Sequence, residues 1–201
     1  MSDRDAALAE LAASVRRLID ATVSVDGDAA LLLAASRGVD AVVADLRRAV
    51  PDPPPARYPG GGDTPMAFFP YDYVIGRWNP LAPPIEMRWE DPLAVGDAVF
   101  GTAYEGPPGC VHGAAIAAAF DQVLNVANLM SGNAGPTARL QTRYRRPTPL
   151  HRPVRFEGWV AQREERKVHS AGRLLVDDVV TVEAEGLYII VAPDRVVNLL
   201  K

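Results

Sequence analysis

The sequence contains one cysteine, Cys110, among its 201 residues. A single cysteine excludes an internal disulfide framework and a zinc site built from several cysteines. An excess of basic residues is also missing, since the formal net charge is -4. Composition therefore gives no reason to expect nucleic acid or an anionic membrane as a partner, and we expect neither.

Long apolar runs are absent as well. No stretch reaches the roughly 18 uninterrupted apolar residues that a membrane span requires. The first ten residues, MSDRDAALAE, lack the basic segment and apolar core of a secretory signal. Because scarce cysteine also suits a reducing compartment, we expect a cytoplasmic protein.

Residues 1–50 carry apolar side chains at helical spacing. The first set is Leu8, Leu11, Val15, Leu18 and Ile19. Asp28 can cap a second helix that runs to about Ala49. We predict an N-terminal helical hairpin that serves as a packing or dimer surface, and a lid over a functional site is the alternative.

Residues 51–83 are rich in proline and glycine, which predicts a linker. Its PGGGD run lacks the Gly-Lys-Ser/Thr of a phosphate-binding loop, so that interpretation is rejected. Aromatic residues then cluster at positions 68–78. Because aromatic side chains at this density need burial, they predict a strap across the following domain that could wall a pocket.

From residue 84 the apolar period changes to two, which is typical of strands. Two strands, at about 85–90 and 96–104, precede a long apolar helix at 113–130. Four further strands follow, at about 137–146, 153–164, 167–177 and 179–191. This order predicts an α+β domain over 84–192, in which a curved antiparallel sheet wraps the helix, and a C-terminal tail at 193–201.

The helix HGAAIAAAFDQVLNVANLM contains one acidic residue, Asp121. A carboxylate on an apolar helix is costly unless it is paired or used, and burial would raise its pKa and make it a better base. The alternative is a structural aspartate bonded to neighbouring backbone or to Asn125 and Asn128. Small residues at the helix start leave backbone N–H groups accessible to a polarised carbonyl oxygen.

Two residues before this helix invite a catalytic interpretation. His112 stands at the helix start, where a histidine is more often a cap or loop residue. Cys110 suggests a nucleophile, but no partner arrangement supports it, and a bystander thiol is the expected role.

Between Asp121 and Glu157 the chain has no acidic residue and six arginines: Arg139, Arg143, Arg145, Arg146, Arg152 and Arg155. Strand alternation places Thr137, Arg139 and Arg143 on one face. A local positive patch suits a ligand with phosphates. The alternative is a solvated face paired with glutamates elsewhere. RNA binding lacks the interleaved aromatic residues that it needs.

Three segments, EGPPGCVHGAAIAAAFDQV, PTARLQTRYRRPTPL and the closing strands, resemble the hotdog-fold acyl-CoA thioesterase superfamily. The resemblance is to its phenylacetyl-CoA thioesterase-like and thioesterase-superfamily-member branches. In that family a His-Gly-Gly motif opens the central helix and an aspartate follows nine residues after the histidine, as Asp121 follows His112. Thr137 matches a threonine or serine on the next strand, and Tyr144-Arg145-Arg146-Pro147 matches a Tyr-basic-Arg-Pro element.

The resemblance implies hydrolysis of acyl-CoA at the interface of a homodimer, or a dimer of dimers, whose sheets pair edge to edge. Asp121 of one subunit, with Thr137 from the other, would activate water. The N–H groups of Gly113 or Ala114 would hold the oxyanion, and His112 would order that turn. No metal is implied, and no cofactor beyond the CoA of the substrate.

The same resemblance assigns substrate binding to residues of the helix and of the strand that follows it. Arg145 and Arg146 would lie near the CoA phosphates, and Asn125 and Tyr144 would line the site. Two departures stand out: Ala114 replaces the second glycine of the motif, and Gly106 stands where some members have an asparagine.

Three alternatives to hydrolysis stay open. The first is a hotdog protein that binds acyl-CoA without hydrolysing it, which Ala114 favours. The second is a hydratase or dehydratase that uses His112 with Asp121, which the spacing of Thr137 disfavours. The third is an RNA- or protein-interaction scaffold. Aryl and medium-chain acyl groups both stay open as the acyl part of the substrate.

Overall fold

A computed structural model describes residues 2–54, 64–133 and 135–190 of the chain. Its helices and strands follow the spacing of apolar residues in the sequence. The helices are α1 (Asp3–Ser24), α2 (Ala29–Arg47), α3 (Pro65–Phe68) and α4 (Gly113–Met130), with a short 3-10 helix at Thr102–Tyr104. The strands are β1 (Glu86–Glu90), β2 (Leu93–Val99), β3 (Thr137–Tyr144), β4 (Pro153–Arg163), β5 (Lys167–Val176) and β6 (Val179–Ile189).

The six strands form one antiparallel sheet in the order β1-β2-β4-β5-β6-β3. Strands β1 and β3 are therefore its edges. Along β5 and β6, buried and less buried side chains alternate, as expected for a sheet with one face on a core. The prediction of an α+β hotdog fold, in which a long helix is wrapped by an antiparallel sheet, is confirmed.

Helix α4 lies against one face of this sheet, and half of its 18 residues are buried. Its length and mean hydropathy of 1.2 would fit a membrane span, but here the helix is the core of the fold. Leu124 packs where three strand residues lack side chains: a Cβ at Gly158, Gly172 or Gly186 would come within 3.1 Å of it. The glycines let the sheet approach α4 closely.

Helix α1 is attached to the body through Arg16. Its guanidinium donates hydrogen bonds to the carbonyl oxygens of Gly76, Arg77, Asn79 and Ala82. Asp20, one turn later, accepts a hydrogen bond from the N–H of Ala103. These contacts fix α1 against the residues that precede β1 and those that follow β2.

Helix α2 begins at the Asp28 cap, whose carboxylate accepts a hydrogen bond from Leu31 N–H at 2.8 Å. None of its residues is buried, and no extensive interface joins it to α1. The two helices of the predicted hairpin are therefore present, but they do not pack against each other. An apolar stripe sufficed to predict the helix but not the element that covers it.

The aromatic segment before β1 joins the core. Phe69, Val74 and Ile75 are buried in the same cluster as the side chains of α4 and the sheet. Asp72 holds the turn, because its carboxylate accepts hydrogen bonds from the N–H groups of Val74 and Ile75. The PGGGD run of the linker lies outside the described residues.

Candidate active site

The first turn of α4 is capped by His112. Its Nδ1 accepts a hydrogen bond from Ala114 N–H at 3.0 Å, and its carbonyl oxygen accepts from the N–H groups of Ala115 and Ile116. The N–H of Gly113 has no acceptor among the described residues. Of the two donors predicted for an oxyanion, Ala114 is thus occupied by the cap, and Gly113 remains available.

Tyr144, at the end of β3, fixes the same turn. Its hydroxyl donates a hydrogen bond to the carbonyl oxygen of Gly113 at 2.7 Å. A Cβ at Gly113 would lie 3.2 Å from that hydroxyl, so the glycine makes room for the ring. Tyr144, predicted to contact substrate, here orients the helix start.

Asp121 lies two turns further along α4 and is partly exposed. Its Oδ1 accepts a hydrogen bond of 2.7 Å from the hydroxyl of Thr137 in the same chain. The expectation that Thr137 comes from a partner subunit is therefore corrected. Oδ2 of Asp121 has no hydrogen bond within the described part of the chain, so it is free to accept one from water.

A β-bulge in β3 explains how Thr137 reaches Asp121. Thr137 is opposite Tyr188 on β6, but Arg139 is opposite Leu187, so Ala138 is the extra residue. The bulge turns Thr137 toward α4, on the side of the buried Tyr188. Strict alternation, which placed Thr137 on one face with Arg139 and Arg143, gave the wrong face for it.

Tyr188 contacts the backbone of Asp121, and this contact was not predicted from the sequence. Its hydroxyl donates a hydrogen bond to the backbone carbonyl of Asp121 at 3.2 Å. Burial, and then the negative charge of Asp121, raise the pKa of this tyrosine. Nothing in an apolar strand pattern distinguishes such a tyrosine from an ordinary core residue.

The predicted basic patch is partly neutralised. Arg145 forms an ion pair with Glu183 of β6, at 2.7 Å. Arg152 pairs with Asp177, and Arg155 with Glu90 and Glu157. Glu183 and Glu90 come from other strands and Asp177 from the turn between β5 and β6, so these partners are remote in sequence, whereas Glu157 lies on β4 with Arg155.

Arg146 has no acidic partner in the described ranges. It lines a pocket of about 600 Å³ at the start of α4. The pocket also contains Cys110, Gly113, Ala114, Tyr144 and Arg145. An unpaired cation beside an unpaired backbone N–H is an arrangement suited to an anionic or polarised ligand.

Asp121 and Thr137 do not line this pocket. Asn125, one turn beyond Asp121 on the same side of α4, is partly exposed and has no hydrogen-bond partner in the described residues. A single chain therefore presents two separate parts: the helix start with its pocket, and the Asp121–Thr137 pair. Within those same residues no group of three or more histidine, cysteine or acidic side chains could hold a metal.

Comparisons with known proteins bear on the family and the fold of this chain. The family model of the Thioesterase superfamily matches residues 108–183. A crystal structure of a thioesterase superfamily protein is 32% identical, with a TM-score of 0.79, and the alignment covers 90% of each chain.

Two more distant structures share the fold. Thioesterase superfamily member 2 from Mus musculus is 12% identical, with a TM-score of 0.50, over 53% of this chain and 82% of its own. A hypothetical thioesterase from Streptococcus pneumoniae, crystallised with coenzyme A, is 14% identical, with a TM-score of 0.51, over 54% of this chain and 89% of its own. The identity and coverage of the first structure decide the family: this chain belongs to the thioesterase superfamily.

Proposed function

We propose that the protein hydrolyses acyl-CoA thioesters to a free acid and CoA, with Asp121 as the general base. The observation that carries the proposal is the carboxylate of Asp121, partly exposed on α4 and held at Oδ1 by Thr137. A base needs hydrogen-bond reach to its proton and a fixed orientation. The hydroxyl of Thr137 orients the carboxylate, and Oδ2 is left to bind water.

Two chains would be needed for one site. Gly113 and Asp121 are eight residues apart on α4, which is about 12 Å along the axis. An oxyanion donor and an attacking water must both lie within about 3 Å of one carbonyl group. We therefore pair Asp121 and Thr137 of one subunit with Gly113 of a second one.

The edge strand β3 offers the surface for such a homodimer. It carries Thr137 at one end and Tyr144 at the other, and only one of its sides is paired in the chain. Its six internal residues are mostly exposed. Antiparallel pairing of β3 with its copy would join the Thr137 end of one chain to the Tyr144 end of the next, which brings both parts of the site together.

In this site Asp121 takes a proton from water as the water oxygen attacks the thioester carbon. The carbonyl oxygen gains negative charge and is stabilised by the Gly113 N–H of the second subunit. The C–S bond then breaks, the carbonyl re-forms, and the proton on Asp121 passes to the CoA sulfur. The products are the carboxylic acid and free CoA.

Substrate binding is assigned to the pocket at the start of α4. Arg146, and Arg145 to the extent that Glu183 leaves it free, would contact the CoA phosphates. The CoA-bound Streptococcus pneumoniae structure and an acetyl-CoA-bound one from Streptococcus mutans support a ligand of this class on this fold. Asn125 would face the acyl group.

Binding of acyl-CoA without hydrolysis is the second candidate. It is favoured by Ala114, whose methyl group replaces a motif glycine and whose N–H is already occupied by His112. If Gly113 alone cannot stabilise the oxyanion, the site would hold a thioester but not cleave it.

The deciding experiment is hydrolysis of aryl, short, medium and long acyl-CoAs, followed by release of free thiol. Asp121→Asn keeps the size of the side chain and should lower kcat by about 10²- to 10⁴-fold. Asp40→Asn, which changes an exposed carboxylate on α2, is the matched control and should retain full activity. Equal activity of wild type and Asp121→Asn would refute the proposal, and binding without turnover across the panel would favour the second candidate.

A further inference from the structure

Helix α2 exposes an unusual amount of apolar surface. Seven large apolar side chains on it are each between 37% and 60% exposed: Leu31, Leu32, Leu33, Val39, Val42, Val43 and Leu46. Isolated exposed apolar residues are normal, but a contiguous group marks a surface for an interaction. Within the described ranges no element covers it.

The apolar side chains gather on one side of the helix. At 100° per residue, six of the seven fall within about 120° of arc, together with Ala35. Leu33 lies on the opposite side, near Arg37, Asp40 and Arg47. An arc this wide is typical of a helix that packs on protein, not of a solvated helix.

The charges of α2 argue against a membrane as the partner. Its polar side carries Arg37, Asp40, Asp45, Arg47 and Arg48. A helix that lies on a membrane surface has a polar face rich in lysine and arginine, whereas here acids and bases are mixed.

The pattern along α2 matches an antiparallel copy of itself. Asp26 and Asp28 precede its first turn, and Arg47 flanks the apolar arc near its end, so an antiparallel partner would bring these acids and this base near each other, whereas Arg48 pairs with Asp45 of its own helix. Val39 lies near the centre of the apolar arc and next to the middle of Ala29–Arg47, so an antiparallel pair that buries this arc would cross there.

We infer that α2 pairs with α2 of a second copy of this chain, antiparallel and crossing near Val39. The inference is independent of the proposed hydrolysis, because none of the residues assigned to that reaction lies on α2.

Disulfide cross-linking can test both the contact and its direction. In a Cys110→Ser background, Val39→Cys lies at the crossing and should link to its own copy. Leu32→Cys and Leu46→Cys should link when the two variants are mixed, because 32 and 46 are equidistant from 39, but neither should link alone. Leu33→Cys, on the opposite side, is the matched control.

Adding Val42→Glu and Leu46→Glu to the Val39→Cys variant should abolish its cross-link, whereas Leu33→Glu should leave the link intact. Thermal melts verify that each variant keeps a folded body, which is expected because α2 contributes nothing to the core. No link through Val39→Cys, or equal linking through Leu33→Cys, would overturn the pairing. Links of Leu32→Cys to itself would overturn its direction, and flotation with anionic vesicles without cross-linking would assign the face to a membrane.

Discussion

Replacing Thr137 by valine removes one hydroxyl from the site and little else. Valine has nearly the same shape, and it favours strands at least as well as threonine does. The hydrogen bond from Thr137 to Oδ1 of Asp121, at 2.7 Å, is lost. The carboxylate is then free to rotate, and Oδ2 no longer holds water in a fixed direction.

The size of the effect follows from the kind of bond. A hydrogen bond to a charged group contributes about 1.5–3 kcal/mol, which corresponds to about 10- to 160-fold in rate at 1.36 kcal/mol per decade. Because Thr137 is exposed in the single chain, we expect the lower end, about 10-fold in kcat. KM should change less, since Thr137 does not line the pocket that contains Arg146.

The assay is thiol release from an acyl-CoA under saturating substrate, with Thr137→Ser as the control that keeps the hydroxyl. A double-mutant cycle with Asp121→Asn separates the pair from its surroundings. In the asparagine background, Thr137→Val should have little effect, because the bond that it removes no longer orients a base. An undiminished kcat in Thr137→Val, or the same loss in both backgrounds, would refute the role given to this hydrogen bond.

Three further predictions concern stability and binding. Arg16→Met should lower the free energy of unfolding in urea by about 2 kcal/mol, because several carbonyl groups lose a charged donor. Arg17→Met loses only exposed contacts, an ion pair with Glu10 and a hydrogen bond to Ser14, and should cost less than about 0.5 kcal/mol. Arg146→Ala should raise KM for acyl-CoA but not for an acyl thioester without the nucleotide, and equal increases would remove Arg146 from phosphate binding. Burial and the charge of Asp121 raise the pKa of Tyr188 above its ordinary value of about 10, so the unfolded chain ionises first and stability falls as pH rises above about 10. Unfolding at a series of alkaline pH values should show a shallower decline for Tyr188→Phe, and identical slopes would contradict this.

The elements of the body could be predicted because each has a clear period. Helix α4 begins and ends where its small and apolar residues do, at Gly113 and Met130. The second strand was displaced: it was predicted over about 96–104, but β2 runs from Leu93 to Val99 and Thr102–Tyr104 forms a 3-10 turn. Apolar residues continue past the end of β2 because they pack in the core. Periodicity alone does not distinguish the apolar residues of a strand from those of a buried turn.

The face of Thr137 could not be predicted, since it depends on one bulged residue. Ala138 has no property that marks a bulge, yet it reverses the side on which Thr137 lies. The ion pair between Arg145 and Glu183 could not be predicted for a similar reason: the two residues meet only because β3 is hydrogen-bonded to β6. Family spacing singled out Asp121 and Thr137, which are hydrogen-bonded in the structure, but the partners of the residues on β3 depend on register.

Helix α1 and helix α2 belong to the protein in different ways. Asp20 of α1 accepts from Ala103 N–H, and the carbonyl of the next residue, Tyr104, accepts from the N–H of His112, which caps α4. Helix α1 is thus two hydrogen bonds from the helix start that contains Gly113, and its loss should loosen that turn. Helix α2 has no such connection among the described residues, and its apolar arc is exposed there. Helix α1 therefore supports the turn that holds the proposed oxyanion donor, whereas α2 presents a surface suited for a second copy of the chain.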